Sequence, residues 1–422
     1  MKLHVDIDCF FVSAERTLNP NYKGIPLAVG GRSNLSIFQN QNQKRHISKI
    51  QGAFTSSLLS VSDDKSFHSY FKDENNKVRG IITTASYEAR KYGVKTAMSV
   101  AQALEFCPQL TVVPPNYGLY HQLSYDIKTF LEKNIPQIEQ FSIDEYFGDV
   151  TNWIEEDHIL EFCIDLKQQI LKKFDIPVSI GISESKWMAK FMTEFAKPYG
   201  IKKIATKDIN TFIEDIQIDK FPGIGKGYKQ KLSQYTIKTL GDIRRNKKLL
   251  YSWGKAGKQL YDRITGVERE PLKLPKEKKS LGIGRTFDSI KERTEIKRRI
   301  VILCRYISFI ALKNQYRPLQ YGLKIRYTNR TKSKSYINVS CVFNELNLKN
   351  ELLKLFEKID ITPYLGIIQI NITLSHFQNS KKVTVDLFSH EYNYKKTKLM
   401  DSVHKLRSKY GIDIIKSAGE LK

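Results

Sequence analysis

The sequence predicts a multidomain α/β (α+β) chain, on three observations. Its 422 residues amount to roughly three domains at ~150 residues each. Short segments with period-two apolar spacing alternate with helix-spaced ones up to about residue 205, whereas residues 206–271 read as mostly helical. A basic, proline-bearing linker, Pro271-Leu272-Lys273-Leu274-Pro275-Lys276-Glu277-Lys278-Lys279, then sets off a final α/β unit over about 281–388.

The elements follow in order. Lys2 to Asp8 alternates and reads as a strand; residues 10–18 read as a helix stopped by Asn19-Pro20, and 26–30 as a second strand. From Ser33 to Arg79, Gln, Asn, Ser, Lys and His dominate without an apolar period, which predicts a surface insertion hanging in solvent. A strand at 80–84 leads into a helix at 87–92 closed by Gly93. A second helix at 99–106 has Ser99 as N-cap and Pro108 as stop. A strand at 110–113, a long helix at 118–133, a hairpin at 138–150, a helix at 159–174 and a strand at 178–182 come next. In the helix at 184–196, Met188, Phe191, Met192 and Phe195 share an apolar face; Lys186, Lys190 and Lys197 lie on another that reads as mostly solvated. Beyond the linker, helices at 291–312 and 349–358 alternate with strands at 321–327, 335–342 and 367–374, and residues 395–411 look helical.

Composition narrows the function. Hydrophobic residues at 41% and aromatics at 11% are ample for ordinary cores. The longest apolar run, 300–312, is interrupted by Arg305 and reads as an amphipathic helix, short of the ~20 residues a bilayer span needs. Charge begins at Lys2, so no signal-peptide core is expected. Five scattered cysteines, none in a C-x-x-C pair, disfavour a disulfide framework or a zinc site and suit a reducing cytoplasm. Lys and Arg number 69 against 44 acids, a net charge of +25. Such an excess points to a polyanion, most often nucleic acid, although a lysine-rich proteome produces the same bias.

Three constellations carry chemistry. Asp6 and Asp8 lie two apart on a strand and are expected on one face, and Asp144-Glu145 forms a second acidic pair. Adjacent acids share one site only if the hairpin turns there, as predicted here. Clustered carboxylates are the ligands a hard divalent cation takes, although a single Asp in a strand more often marks an edge or turn. Thr84, Tyr87 and Arg90 gather hydroxyl, phenol and guanidinium around a helix start, an anion site to which Lys197 is a further candidate cation. No G-x-x-x-x-G-K-[ST] occurs, which excludes a P-loop. Pro222-Gly223-Ile224-Gly225-Lys226 has the form of a helix-hairpin-helix, whose glycines let backbone N–H groups approach a phosphate; Gly254-Lys255-Ala256-Gly257-Lys258 resembles a weaker copy.

Taken together, the chain resembles the Y-family, DinB/UmuC-like translesion DNA polymerases. The resemblance rests on Val5-Asp6-Ile7-Asp8-Cys9-Phe10-Phe11, the run from Thr84 to Val94, Ser142-Ile143-Asp144-Glu145, Gly181-Ile182-Ser183, Ala196-Lys197-Pro198 and Pro222-Gly223-Ile224-Gly225. It implies a right-handed polymerase: palm over 1–10 and 116–205, fingers over 11–115 with the insertion, thumb over 206–271, a linker over 272–280, a little finger over 281–390 and a tail over 391–422. It further implies that Asp6, Asp144 and Glu145, with the Ile7 carbonyl, bind two Mg²⁺ ions, and that Asp8 is not a ligand. Thr84, Tyr87, Arg90 and Lys197 would contact the triphosphate. Phe11 would be the steric gate against ribose, with Cys9 and Phe10 lining the same pocket. Pro222, Gly223, Ile224, Gly225 and Lys226 would grip DNA.

The expected partners are primer-template DNA and dNTPs, with the chain acting as a monomer, off the membrane, in the cytoplasm at the nucleoid. Thr384-Val385-Asp386-Leu387-Phe388 keeps part of a sliding-clamp peptide and makes a clamp a candidate partner. The implied activity is low-fidelity, template-directed DNA synthesis in damage tolerance. The alternative from carboxylates and DNA clamp alone is a two-metal nuclease, which needs neither a triphosphate pocket nor a sugar gate.

Overall fold

The computed structural model describes residues 1–33, 35–38, 45–46, 60–61, 66–73, 75–273, 278–340, 343–378 and 390–421. The chain divides into two units, one of residues 1–30 and 81–276, the other of residues 31–80 and 277–422.

The first unit is built on strands β1 (Lys2–Ile7), β2 (Leu27–Gly31), β3 (Ile81–Ala85), β4 (Thr111–Val113), β5 (Gln137–Gln140), β6 (Glu145–Asp149), β7 (Val178–Ser183) and β8 (Ile201–Lys203). They form a five-stranded sheet in the order β8-β7-β1-β6-β5 and a three-stranded sheet in the order β3-β2-β4. β1 is central because its alternation is apolar throughout: Leu3, Val5 and Ile7 are buried among Ile180, Ile182 and Tyr146. Helices α1 (Phe10–Leu18), α2 (Tyr87–Lys91), α3 (Tyr117–Asn134), α4 (Ile159–Phe174) and α5 (Lys186–Ala196) follow the predicted pattern within a few residues. Ser86 and Ser185 cap α2 and α5 through their hydroxyls, and Ser99 caps the short helix Val100–Phe106 as expected. Met188, Phe191 and Met192 of α5 join a separate apolar cluster with Phe221, Ile224, Leu232 and Leu260. That cluster holds the helical stretch containing α6 (Lys226–Ser233), α7 (Lys247–Ser252) and α8 (Gly254–Ile264).

The second unit contains a four-stranded antiparallel sheet of β9 (Ser280–Ile290), β10 (Pro318–Tyr327), β11 (Lys332–Asn338) and β12 (Ile367–Phe377), ordered β9-β12-β10-β11. Helices α9 (Arg293–Lys313) and α10 (Glu345–Ile359) pack on one face, and α11 (His390–Tyr410) follows.

Two expectations fail in this unit. The insertion does not hang wholly in solvent: Ile37 and Phe38 are buried in the unit's main core, with the Phe38 ring edge-on to Phe287 and beneath the Arg299 guanidinium. Nor is α9 amphipathic, since Ile300 through Ala311 are buried all round. Arg305 is not a surface charge interrupting the run. It is buried, donates to Glu420 Oε2 at 2.7 Å and to Asp413 Oδ1 at 2.5 Å, and thereby seats the C-terminal residues on the helix.

Candidate active site

Antiparallel pairing of β1 with β6 sets Asp6 directly opposite Glu145. The hairpin turn occupies Phe141 to Asp144, so Glu145 opens the return strand and the acidic pair straddles the end of the turn. The Ile7 N–H donates to the Asp144 carbonyl at 3.0 Å, which brings that acid beside the end of β1. Ser142 Oγ donates to Asp144 Oδ1 at 2.5 Å. Strand register therefore sets Asp6 opposite Glu145, and the Ile7–Asp144 backbone bond brings the third acid to the same end of the sheet.

Their electrostatics are those of a site short of positive charge. Burial pushes the Asp6 carboxyl far above the usual carboxylate range; Lys197 offsets part of this, and Glu145 and Asp144 add to it. Burial raises Asp144 as well, with Glu145 repelling it. Lys197 Nζ donates to Asp6 Oδ2 at 3.1 Å, and Lys190 Nζ pairs with Glu145. The lysines of α5 are thus not a solvated face: Lys186 is buried against Glu139, and Lys190 and Lys197 turn toward the acids. Among the described residues no three His, Cys, Asp or Glu side chains stand close enough to form a ready metal cage. All-oxygen donors at strand ends nevertheless suit magnesium, which is usually held by one or two carboxylates, water and substrate phosphates rather than by a protein cage.

Asp8 departs from the expectation of a face shared with Asp6. It lies one residue past β1, and its buried carboxylate turns to other partners: Tyr87 Oη at 3.1 Å, Ser179 Oγ at 2.9 Å and the Tyr199 N–H at 2.7 Å. Cys9 adopts a left-handed φ of 47° as the chain enters α1, and burial pushes its thiol up to about 11. Phe10 is buried, and the Phe11 ring stacks on Tyr120 with centroids 4.4 Å apart and planes 11° from parallel. Tyr87 opens α2, and Arg90 lies three residues on with its guanidinium 5.2 Å from the Tyr87 ring centre. Thr84 is half-buried on β3, whereas Thr83 is tied to the Val29 carbonyl.

The glycine loop precedes α6. Gly223 has φ +100°, which favours glycine, and a Cβ at Gly223 or Gly225 would meet nothing within 4 Å, so the backbone there is open to an approaching chain. The element before it is a single 3₁₀ turn, Ile218–Lys220, not a full helix. The second Gly-Lys copy fails as a clamp: Gly257 lies within α8, pressed against Leu250 of α7. In the other unit, one face of the four-stranded sheet is apolar. The opposite face sets Lys324 against Lys334 and Arg326 against Lys332, with Asn371 and Gln369 alongside. Like charges paired across strands are destabilising without an anion to cover them. The segment Thr384 to Phe388 lies outside the described residues.

Sequence reasoning missed Lys190, Ser142 and His4 as neighbours of the acids. His4 is buried, its Nδ1 bonds Thr193 Oγ1 at 2.9 Å, and its Nε2 sits 3.9 Å from Glu145 Oε1. Burial and the nearby lysines hold its pKa well below the usual value. Position two before Asp6 on the same strand was the available signal.

Residues 5–194 match the impB/mucB/samB family and residues 278–387 its C-terminal domain. A DNA polymerase IV of Oceanobacillus iheyensis is 29% identical over 424 residues, covering 98% of this chain and 90% of its own. Another, from Vibrio parahaemolyticus, is 31% identical over 288 residues, 68% of this chain and 69% of its own. Among solved structures, a Y-family DNA polymerase chimera of Dbh and Dpo4 superposes with a TM-score of 0.71 at 24% identity, covering 89% of this chain and 98% of its own. DinB from Sulfolobus solfataricus gives 0.53 at 25% identity, with the same coverage.

Proposed function

The chain belongs to the impB/mucB/samB family and is a Y-family, DinB-like DNA-directed DNA polymerase, and from that premise we propose that Asp6, Asp144 and Glu145 are its catalytic carboxylates in two-metal extension of a primer 3′ end. One observation carries the assignment: strand register sets Asp6 opposite Glu145, with Lys197 drawn onto the same acid. The nuclease alternative loses its support, since the relatives are polymerases throughout the matched length.

The three carboxylates, with the Ile7 carbonyl, are the groups that would hold two magnesium ions. When bound, the metal lowers the pKa of the primer 3′-hydroxyl and neutralises charge on the triphosphate and leaving pyrophosphate. The remaining work falls to the chain itself. Tyr87, Arg90, Thr84 and Lys197 bind and orient the triphosphate. Lys197 pairs with both Asp6 and Glu194, which keep its ammonium charged. Phe11, its ring fixed by stacking on Tyr120, excludes a ribose 2′-hydroxyl, while Phe10 and Cys9 line the pocket by packing and backbone. The open backbone from Pro222 to Lys226 holds duplex phosphates without reading sequence, as does the basic sheet face of the second unit.

Synthesis across damaged template, low fidelity, action as a monomer at nucleoid DNA and contact with a sliding clamp complete the reading. Among the described residues, no helix is long and apolar enough to cross a membrane. The test is extension of a labelled primer-template with dNTPs and magnesium, across intact and abasic template. Asp144→Ala should lower extension at least about 100-fold with DNA affinity retained, the scale of loss expected when charge stabilisation at the reacting phosphate is removed. An Asp144→Ala enzyme of normal rate would remove the metal assignment.

A further inference from the structure

We propose that Asp8 is a positioning residue of the triphosphate pocket, acting by fixing the turn that carries Lys197. The proposal rests on the reading of Lys197 and Tyr87 as nucleotide contacts.

The geometry is that of an acceptor-only group surrounded by donors. Asp8 is 2% exposed, and its own backbone is fixed: its N–H donates to the Pro177 carbonyl at 3.0 Å, and its carbonyl accepts from Ser13 Oγ at 2.5 Å. Its carboxylate then joins three separate elements. Oδ2 accepts the Tyr199 N–H at 2.7 Å; Ser179 Oγ on β7 bonds both oxygens, at 2.9 and 3.0 Å; Oδ1 accepts from Tyr87 Oη on α2 at 3.1 Å.

Tyr199 lies two residues after Lys197 and has a φ of 47°, a left-handed conformation that costs a bulky side chain and persists only where its surroundings dictate it. Those surroundings are explicit. Asp8 holds the Tyr199 N–H, and Lys167 Nζ holds its carbonyl at 3.0 Å while lying 3.9 Å from its ring centre. With the turn clamped on both sides, Lys197 leaves the end of α5 aimed at Asp6 Oδ2. Tyr87 is tied to the same carboxylate. One buried acid therefore sets the spacing between the two walls of the pocket, and misplacing such groups by about 1 Å can cost ~100-fold.

The role separates cleanly from metal ligation. A ligand needs its charge; this position needs an acceptor facing Tyr199. In Asp8→Asn the amide oxygen can face the Tyr199 N–H while its NH₂ meets the Tyr87 and Ser179 hydroxyls, which are able to turn and accept. Asp8→Ala leaves all three donors without a partner.

The experiment measures single-nucleotide insertion on a primer-template with magnesium, reading kcat and dNTP KM, with DNA affinity and thermal unfolding as controls. Asp8→Ala should raise dNTP KM about tenfold or more, with kcat falling less than KM rises and DNA affinity unchanged. Asp8→Asn should return KM and kcat to within about threefold of wild type. In a Lys197→Ala background, adding Asp8→Ala should raise KM clearly less than it does in the wild-type enzyme, because only the route through Tyr87 remains. Three results would overturn the proposal: Asp8→Asn as slow in kcat as a lost metal ligand, a full KM effect of Asp8→Ala without Lys197, or no KM effect in a folded Asp8→Ala enzyme. Should Asp8→Ala fail to fold, the Asn variant decides alone. If Lys197→Ala by itself leaves dNTP KM unchanged, it is the pocket reading that falls.

Discussion

A carboxylate buried beside two others is a liability until something positive arrives, and Asp6 shows its sign. Burial first, then Glu145 and Asp144, raise its pKa from the ordinary 3.8 to about 8, with Lys197 opposing. The folded chain thus binds this proton more tightly than the unfolded one, so the group's contribution becomes destabilising as pH rises from about 4 and is fully so above about 8. Asp6→Asn removes that penalty. In metal-free buffer with EDTA its unfolding temperature should match wild type near pH 4 and exceed it by several degrees at pH 9, each kcal/mol of penalty removed being worth about 3 °C in a domain this size. Magnesium should raise the wild-type value more than the variant's, which keeps Asp144 and Glu145 but lacks the Asp6 charge. A variant no more stable at pH 9 would mean that the lost Lys197 pair outweighs the burial. The acids themselves were legible as D-x-D and D-E spacings. What spacing cannot give is register: Asp6 facing Glu145, or Lys190 reaching Glu145 from a helix whose lysines look like a wet face.

Elements were read most reliably where one period dominated. The helix after Ser99 followed from its cap and the one at 87–92 from its closing Gly93, and the hairpin turn fell where the acids required it. β9 was missed for a physical reason. Its inward positions run Leu281, Ile283, Arg285, Phe287, and the buried arginine breaks the apolar alternation. Gly282 and Gly284 on the other face remove the β-formers that would have signalled a strand. On β10 and β11 the missing partner is legible in the opposite sense. Lys324 faces Lys334 and Arg326 faces Lys332 with no acid between them in the register, an arrangement that a phosphate backbone relieves. Lys324→Ala with Lys334→Ala should therefore weaken DNA binding equally for unrelated sequences and flatten the log–log salt dependence by about two. Fluorescence anisotropy across a salt titration checks both. An unchanged slope would place the DNA on another surface.

At the scale of the whole molecule, the chain passes between its two units at residues 30–31, 80–81 and 276–277, because the insertion belongs to the C-terminal unit. The sequence hid this, since a polar stretch with few apolar residues gives no period, and which buried face its Leu35, Ile37 and Phe38 meet is a tertiary fact. It explains why residues 300–311 of α9 are buried on every side. The sheet covers one side, and residues 35–38 and 412–420 cover much of the rest, with Arg298 donating to the Phe38 carbonyl at 3.2 Å and Arg305 neutralised by Asp413 and Glu420. An arginine inside an apolar run is thus no sign of a wet face when its acids arrive from over a hundred residues away. The consequence is that residues 277–422 lack part of their own core when separated from the insertion. Phe38→Ala should destabilise the C-terminal unit by about 3 kcal/mol, as truncating a buried aromatic does, without lowering the stability of the unit that carries Asp6. Hydrogen exchange read by mass spectrometry distinguishes the two: faster exchange in α9 and β9 with the β1 and β7 amides unchanged is the expected pattern. Exchange left unaltered in α9 would show that Phe38 contributes nothing to that core, and the insertion would revert to a surface loop.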